Sequence, residues 1–330
     1  MPVLAAVTIY VVFKGSGISL NELVKSIQGA SAAGMILAAF FVLGFIYFEG
    51  EALRVIVNHM GYPVKRSHGF MYSAADVYFS SITPSASGGQ PASAFFMMKD
   101  KIPATSVMAA LLLNLVMYTL AVVSLGVADF LFAPRLYLQF DIWGRILIIC
   151  GMAALSGLTV LFYMLLRKQV IVRKMMKVLS SFLRKIHCRR LAQKLEKKTA
   201  EALEEYGQCV KLIFDSRKLL IKVYLLNLLQ RLSQIFVTMI AYMALHGDMR
   251  LLPRLFATQI YVVLGSNFVP VPGGVGITDY LMLNGYRQLM DKTAAYQLEI
   301  LSRGLSFYVC IFISLVTVAA GYLILRRRGK

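Results

Sequence analysis

The sequence predicts an all-α polytopic membrane protein with about six full spans and two broken helical hairpins. Three observations indicate this fold class. The 330-residue chain is 58% hydrophobic and 15% charged, which is more apolar than a soluble core of this size requires. Apolar runs of the roughly 20 residues needed to cross a bilayer recur along the chain. Two apolar regions are interrupted by Gly- and Pro-rich stretches, at 80–91 and 265–280.

The second interruption, GSNFVPVPGGVGITDY, cannot form one continuous helix. Proline removes a backbone donor, and the cluster Gly273, Gly274 and Gly276 lowers helix propensity. A break at membrane depth is tolerated only where the freed backbone groups are buried in protein or line a water-filled cavity. The first interruption, SSITPSASGGQP, has the same character. One broken segment in each half of a chain points to the binding site of a transporter built from repeats.

The remaining elements follow from hydropathy. Pro2–Phe13 is apolar but shorter than a span, so it is either the remainder of a longer helix or a tilted interfacial segment. The predicted full spans are Gly29–Phe48, Ala104–Ala128, Trp143–Leu166, Val223–Leu245 and Leu298–Leu325. Charges at Glu49, Glu51 and Arg54 end the first of these, and a polar loop is predicted at Gly50–His68. The broken segments occupy 69–98 and 255–290.

A basic insertion at 167–222 separates a first membrane half, 1–166, from a second, 223–330. It carries 16 Lys or Arg against 5 Asp or Glu and shows the spacing of an amphipathic helix followed by a more charged one. The net charge of +19 is concentrated beside apolar runs, where the positive-inside rule explains it better than nucleic-acid binding does. We expect the insertion to lie in the cytoplasm, at the surface of the cell membrane.

The same rule places the basic C-terminus, Arg326–Lys330, in the cytoplasm. Counting spans from these two anchors makes the first broken segment start and end inside, and the second start and end outside. Two re-entrant hairpins that enter from opposite faces are typical of an inverted-repeat carrier, with both tips meeting near the midplane.

Catalytic and cofactor motifs are missing from the sequence. The four cysteines have no CxxC spacing, the four histidines form no HExxH, and the Walker, Rossmann and GxSxG patterns do not occur. We therefore expect no metal, no cofactor and no catalytic residue in this chain.

Arg231 is the most informative polar residue inside an apolar span. Asn227, Gln230 and Gln234 share its helix face, and this polar stripe suits a phosphate or an acidic partner. The alternative is a structural arginine that snorkels or forms an ion pair, because either use meets the cost of an intramembrane charge.

Other polar residues flank the breaks. Asp279 and Arg303 are predicted either to pair, which would pin the second hairpin to the last span, or to contact a substrate. Asp76 is a weaker candidate of the same kind, and Asn114 and Asn267 suit interhelical hydrogen bonds. Short hydroxyls and backbone N–H groups at the first break suit an anionic headgroup. The predicted substrate-binding residues are Ser85, Ser87, Gly88, Gly89, Gln90, Arg231, Gln234, Pro272, Gly273, Gly274, Gly276, Asp279 and Arg303.

Taken together, the two breaks resemble those of the lysylphosphatidylglycerol synthase transmembrane family, the flippase part of multiple-peptide-resistance proteins and their stand-alone relatives. The matching stretches are TPSASGGQPASAFFMMKDKIP at Thr83–Pro103 and PVPGGVGITDYLML at Pro270–Leu283, followed by Arg303. The resemblance covers nearly the whole chain. It departs at Asp279, where the family usually has Glu, and in lacking the soluble aminoacyl-transferase domain of full-length synthases.

The resemblance implies translocation of an aminoacylated or otherwise modified phospholipid, such as lysylphosphatidylglycerol, between leaflets, and a contribution to resistance against cationic antimicrobial peptides. Three alternatives stay open: a flippase for another lipid-linked substrate, a phosphatidylglycerol lysyltransferase that needs a separately encoded catalytic subunit, and a membrane scaffold whose basic insertion docks a partner. The expected partners are anionic or aminoacylated phospholipids, that transferase subunit, or a second copy of the chain.

The charge distribution generates a test of orientation. Single cysteines placed in 167–222 or at the C-terminus should be protected from an impermeant thiol reagent in intact cells, because both segments are predicted to be cytoplasmic. Labelling from outside would contradict the topology and the opposed hairpins that depend on it.

Overall fold

The computed structural model describes residues 29–83, 86–167, 204–269 and 271–328, and within these ranges the chain forms helices and no strand. Pro2–Phe13, most of the basic insertion and Ser85 lie outside the described residues. The helices are α1 (Ala32–His59), α2 (Arg66–Ile82), α3 (Gly89–Lys99), α4 (Ala104–Phe132), α5 (Pro134–Tyr137), α6 (Ile142–Arg167), α7 (204–215), α8 (Arg217–Ala244), α9 (Leu252–Ser266), α10 (Ile277–Tyr286), α11 (Lys292–Arg303) and α12 (Cys310–Arg328).

Five helical stretches in the described ranges are long and apolar enough to cross a membrane. Four of them are α1, α4, α6 and α8, and the fifth runs from α11 into α12 through a π-helical segment at Gly304–Val309. The multi-pass membrane class is therefore confirmed. Within the described ranges the structure gives five candidate spans, and the prediction of about six stays untested because residues 1–28 lie outside these ranges.

Two predicted boundaries near the first span are wrong. α1 continues through Glu49 to His59, so Gly50–His68 is mostly helical and only residues 60–65 connect α1 to α2. The helix continues past these charged residues because each carboxylate has a hydrogen-bond or ion-pair partner. Glu51 forms an ion pair of 2.6 Å with Arg54 on the same helix, and Glu49 is hydrogen-bonded to neighbouring helices.

Other boundaries shift by a few residues. α8 begins at Arg217 rather than Val223, with the Ser216 hydroxyl accepting from the Leu219 backbone N–H as an N-cap. Ahead of it, the last part of the predicted insertion forms α7. The side chains of Tyr206, Val210 and Ile213 are buried, so α7 packs on the bundle through an apolar face.

Each predicted break separates two antiparallel helices. In the first hairpin, Asp100 just after α3 accepts hydrogen bonds from His68 (2.6 Å) and Tyr72 near the start of α2. Gly89 at the start of α3 lies against Asp76 toward the end of α2.

The second hairpin has the same arrangement. Gly265, near the end of α9, packs against Leu281 in α10, while Gly285 near the end of α10 packs against Thr258 in α9. The two helices of this pair therefore also run antiparallel.

The two hairpins enter the bundle from opposite ends. α7 lies at one end of the bundle, where α1 and α6 both end. Tyr206 in α7 donates to the last carbonyls of α6, and the Leu212 carbonyl in α7 is hydrogen-bonded to His59 at the end of α1. The first hairpin follows α1 directly and so opens at this end. The second opens at the other end, where Asn284 accepts a 3.1 Å hydrogen bond from the Asp141 backbone N–H just before α6.

Close packing between α6 and the second hairpin generates a stability prediction. A Cβ on Gly151 would lie 2.0 Å from the Leu264 carbonyl oxygen, so Gly151→Ala must push α6 and α9 apart. We expect a loss of about 1–3 kcal/mol in stability, measured as a lower Tm of the detergent-solubilised protein.

Gly157 on the same helix is the matched control. It is exposed, and no atom lies within 4 Å of the position that a Cβ would take there, so Gly157→Ala should leave the Tm unchanged or slightly higher. Equal behaviour of the two variants would contradict the close approach of α6 and α9.

Candidate functional site

A cavity of about 400 Å³ lies where the tips of the two hairpins meet. α1, α4, α8 and the last span complete its wall. Its polar lining residues are Glu49, Asp76, Ser80, Ser81, Gln90, Asn114, Tyr118, Gln230, Arg231, Gln234, Gln259, Ser266, Asn267, Thr278, Arg303 and Ser306. Both predicted breaks therefore contribute to one site.

The first break is built around Asp76. Its carboxylate accepts hydrogen bonds from the Ser80 hydroxyl (3.1 Å) and the Gln90 side-chain amide (2.8 Å). A Cβ on Gly89 would lie 1.9 Å from the Asp76 carboxylate, so a glycine is required there. The N-terminus of α3 consequently lies beside an acidic group, which its dipole stabilises.

Glu49 lines the cavity from α1 and is only 6% exposed. Its Oε2 accepts from the Ser73 hydroxyl and from the Gln230 side-chain amide, both at 2.9 Å. Its carboxyl group is also within hydrogen-bonding reach of Asp76. Two acidic side chains from α1 and α2 thus share one wall of the cavity.

Glu49 was not predicted as a site residue, because it was assigned to the end of a span. A signal was present, since buried residues of α1 recur at three-and-four spacing. The stripe comprises Val42, Ile46, Glu49, Leu53 and Ile56. A carboxyl group in an otherwise apolar stripe indicates a buried polar site rather than a helix end.

Arg231 reaches the cavity from α8 and is 3% exposed. Its guanidinium donates to the Gln234 side-chain oxygen and lies 4.6 Å from the centre of the Tyr118 ring. Its Nε has no hydrogen-bond partner, and none of the ion pairs within the described ranges includes it. The charge is held in place by its surroundings without being neutralised by direct contact.

The rest of the predicted stripe on α8 is used differently. Asn227 donates to Asn114 on α4 at 3.0 Å, which confirms the interhelical hydrogen bond expected of Asn114. The Gln230 side-chain amide donates a hydrogen bond to Glu49, and the Gln234 side-chain oxygen accepts one from Arg231. Asn267 is exposed and lines the cavity.

The second break is fixed to the last span by charge. Arg303 Nε lies 2.7 Å from Asp279 Oδ1, so the predicted pair is present. Asp279 Oδ2 also accepts from the Gly276 backbone N–H at 2.8 Å, and Arg303 donates to the Gly273 carbonyl at 3.2 Å. Glu299, which was not predicted as a site residue, interacts with both charged partners and is 3% exposed.

Glycine is needed at the second break for two reasons. Gly273, Gly274 and Gly276 have φ of 61°, 63° and 83°, which residues with a Cβ rarely adopt. In addition, a Cβ on Gly273 would lie 2.1 Å from the Phe307 ring, which stacks under the Arg303 guanidinium at 4.8 Å. Phe307 belongs to the π-helical segment Gly304–Val309, and its ring lies against the second break.

The predicted substrate-binding residues differ in where they lie relative to the cavity. Those that line the cavity are Gln90, Arg231, Gln234, Gly273, Gly274 and Arg303. Four further residues belong to the two breaks and lie next to the lining without being part of it: Gly88, Gly89, Gly276 and Asp279. Ser85 and the side chain of Pro272 lie outside the described residues, and Ser87 belongs to the first break without lining the cavity.

Comparison with known proteins gives two matches. A family model described as the lysylphosphatidylglycerol synthase TM region matches residues 2–314. A UPF0104 membrane protein from Archaeoglobus fulgidus is 23% identical over 285 residues, covering 86% of this chain and 85% of that protein. The family match extends across the two hairpins and the cavity between them.

The Asp279–Arg303 pair generates a prediction. Asp279→Asn leaves the buried Arg303 without its closest counter-charge and should lower the stability by about 3–5 kcal/mol. The double variant Asp279→Asn/Arg303→Gln should recover part of this loss. Thermal unfolding of the solubilised protein measures both effects.

Asp291→Asn is the matched control, because Asp291 is exposed and caps α11 through bonds that Asn also accepts. It should behave as the wild type. If Asp279→Asn is as stable as this control, the ion pair does not hold the second hairpin.

Proposed function

The chain belongs to the lysylphosphatidylglycerol synthase TM region family, and from this premise we propose that it is a lipid flippase that moves an aminoacylated or otherwise modified phospholipid between leaflets. The proposal includes a contribution to resistance against cationic antimicrobial peptides. It places the protein in the cell membrane with the basic insertion and the C-terminus in the cytoplasm, and it makes both hairpins re-entrant.

One observation carries the proposal: a buried guanidinium that has no ion-pair partner in direct contact within the described ranges faces a cavity at the junction of two opposed hairpins. Burying Arg231 is costly unless an anion or a polar network compensates it. Among the described residues its Nε has no hydrogen-bond partner, and a phosphate would offer oxygens to a planar guanidinium fork. The cavity volume of about 400 Å³ falls within the range of about 300–1,000 Å³ typical of small-molecule sites.

The hairpin arrangement supports translocation rather than static binding. The tips enter from opposite ends of the bundle and share the cavity wall, so movement of either hairpin would open the cavity toward its own side. Alternating access of this kind requires a site between two such elements. The lipid phosphate would bind at Arg231 while the acyl chains remain in the bilayer.

Variants of Arg231 test the phosphate site. Arg231→Ala should weaken binding of the anionic phospholipid by about 1.5–3 kcal/mol, or roughly ten- to a hundredfold, because a charge-assisted hydrogen bond is lost. Arg231→Lys should recover part of the affinity but not the selectivity, since lysine lacks the fork. Binding and leaflet-resolved transport are measured in proteoliposomes with lysylphosphatidylglycerol or phosphatidylglycerol.

Arg287→Ala is the matched control. Arg287 also lies over a tyrosine ring, 5.1 Å from the centre of Tyr296, but it is exposed and outside the cavity. This variant should bind and transport lipid as the wild type does. Unchanged lipid binding in Arg231→Ala, with reduced thermal stability, would leave Arg231 a structural role and contradict the proposal.

A further inference from the structure

From the geometry of the cavity we infer that Glu49 and Asp76 together bind a proton, and that this proton is the ion coupled to lipid movement. The coupling rests on the proposed flippase function. The proton site itself does not, and it can be tested without a transported lipid.

The two carboxyl groups come from different helices and meet inside the bundle. Glu49 is 6% exposed, and its carboxyl lies within hydrogen-bonding reach of Asp76. Two carboxylates within hydrogen-bonding reach of each other in a largely buried position cannot both ionise without strong repulsion. One bound proton turns the contact into an O–H···O hydrogen bond and changes the charge of the pair from −2 to −1.

The surrounding side chains already serve the carboxylates as donors. Ser73 and Gln230 donate to Glu49, and Ser80 and Gln90 donate to Asp76. The amide groups leave acceptors unpaired, because neither Gln230 Oε1 nor Gln90 Oε1 has a hydrogen-bond partner in the part of the chain that the structure describes. Gln230 is 2% exposed. The site therefore has more buried hydrogen-bond acceptors than donors, and an added proton or small cation would supply the missing positive charge. A proton is favoured because it can form a hydrogen bond between the two carboxyl groups.

The other charged and titratable groups facing the pair define how it is linked to lipid. Arg231 on α8 is the cation in electrostatic contact with Glu49, and the Cys310 thiol faces Glu49 from the last span. Arg303, which also lines the cavity, is paired with Asp279 and interacts with Glu299. Arg231 is therefore the positive charge that balances the singly protonated pair.

Because Arg231 balances the charge of the carboxyl pair, binding of a proton to the pair is coupled to binding of an anion at Arg231. A phosphate bound there takes up the positive charge, which strengthens repulsion within the pair and favours proton uptake. By thermodynamic reciprocity, loss of the proton weakens the phosphate site to the same extent. A proton taken from the aqueous phase on one side and released on the other would thus drive the lipid in a fixed direction.

Infrared spectroscopy of the full chain in bilayers, titrated with pH in the absence of lysylphosphatidylglycerol, tests the proton site. The wild type should show a protonated-carboxyl C=O band that disappears on titration and is absent in Glu49→Gln and in Asp76→Asn. Glu51→Gln is the matched control, because Glu51 lies on the same helix but pairs with Arg54 outside the cavity. Persistence of an unaltered band in both cavity variants, or a wild type without one, would overturn the proton site.

Transport in proteoliposomes tests the coupling. An imposed pH gradient should accelerate translocation of lysylphosphatidylglycerol in the wild type and in Glu51→Gln, and the acceleration should be lost in Glu49→Gln and Asp76→Asn. Translocation that responds to a Na⁺ gradient but not to pH would overturn the coupling in favour of a metal cation. A titrating band without any lipid translocation would uphold the proton site and contradict the flippase function.

Discussion

Backbone groups freed by a break in a membrane helix must find partners inside the protein, and this requirement organises the whole structure. At the first break, the Thr83 hydroxyl accepts from the Gly88 backbone N–H at 2.9 Å, and Asp76 lies against the start of α3. At the second, Arg303 and Asp279 bind the backbone of the glycine turn. Each break is thus stabilised by side chains that also define the cavity.

The two breaks are built with opposite chemistry. The first presents a carboxyl pair from α1 and α2, whereas the second is tied by an arginine to the last span. Arg231 reaches the cavity from α8, which belongs to neither hairpin. A cation without a direct ion pair in the described ranges therefore faces acidic groups in a small polar cavity, and an anionic ligand or a proton changes the charge balance between them.

Sequence alone predicted the membrane class, both breaks, the Asp279–Arg303 pair and the role of Asn114, because proline, glycine and intramembrane polar residues are constrained locally. It misassigned Glu49 and shortened α1, since a charge after an apolar run has the same local pattern at a helix end and in a buried site. Glu299 was overlooked for a related reason. Its burial depends on the contact between α11 and the second hairpin, which hydropathy does not encode.

The proposed function requires a phospholipid headgroup to enter the cavity between the hairpin tips. A phosphatidylglycerol derivative with a photoactivatable group in its headgroup, cross-linked to the full chain in bilayers and mapped by mass spectrometry, tests it most directly. We expect cross-links to cavity-lining residues such as Leu115 and Asn267. Headgroup cross-links confined to exposed positions outside the cavity, such as Leu131 and Phe132, would contradict it.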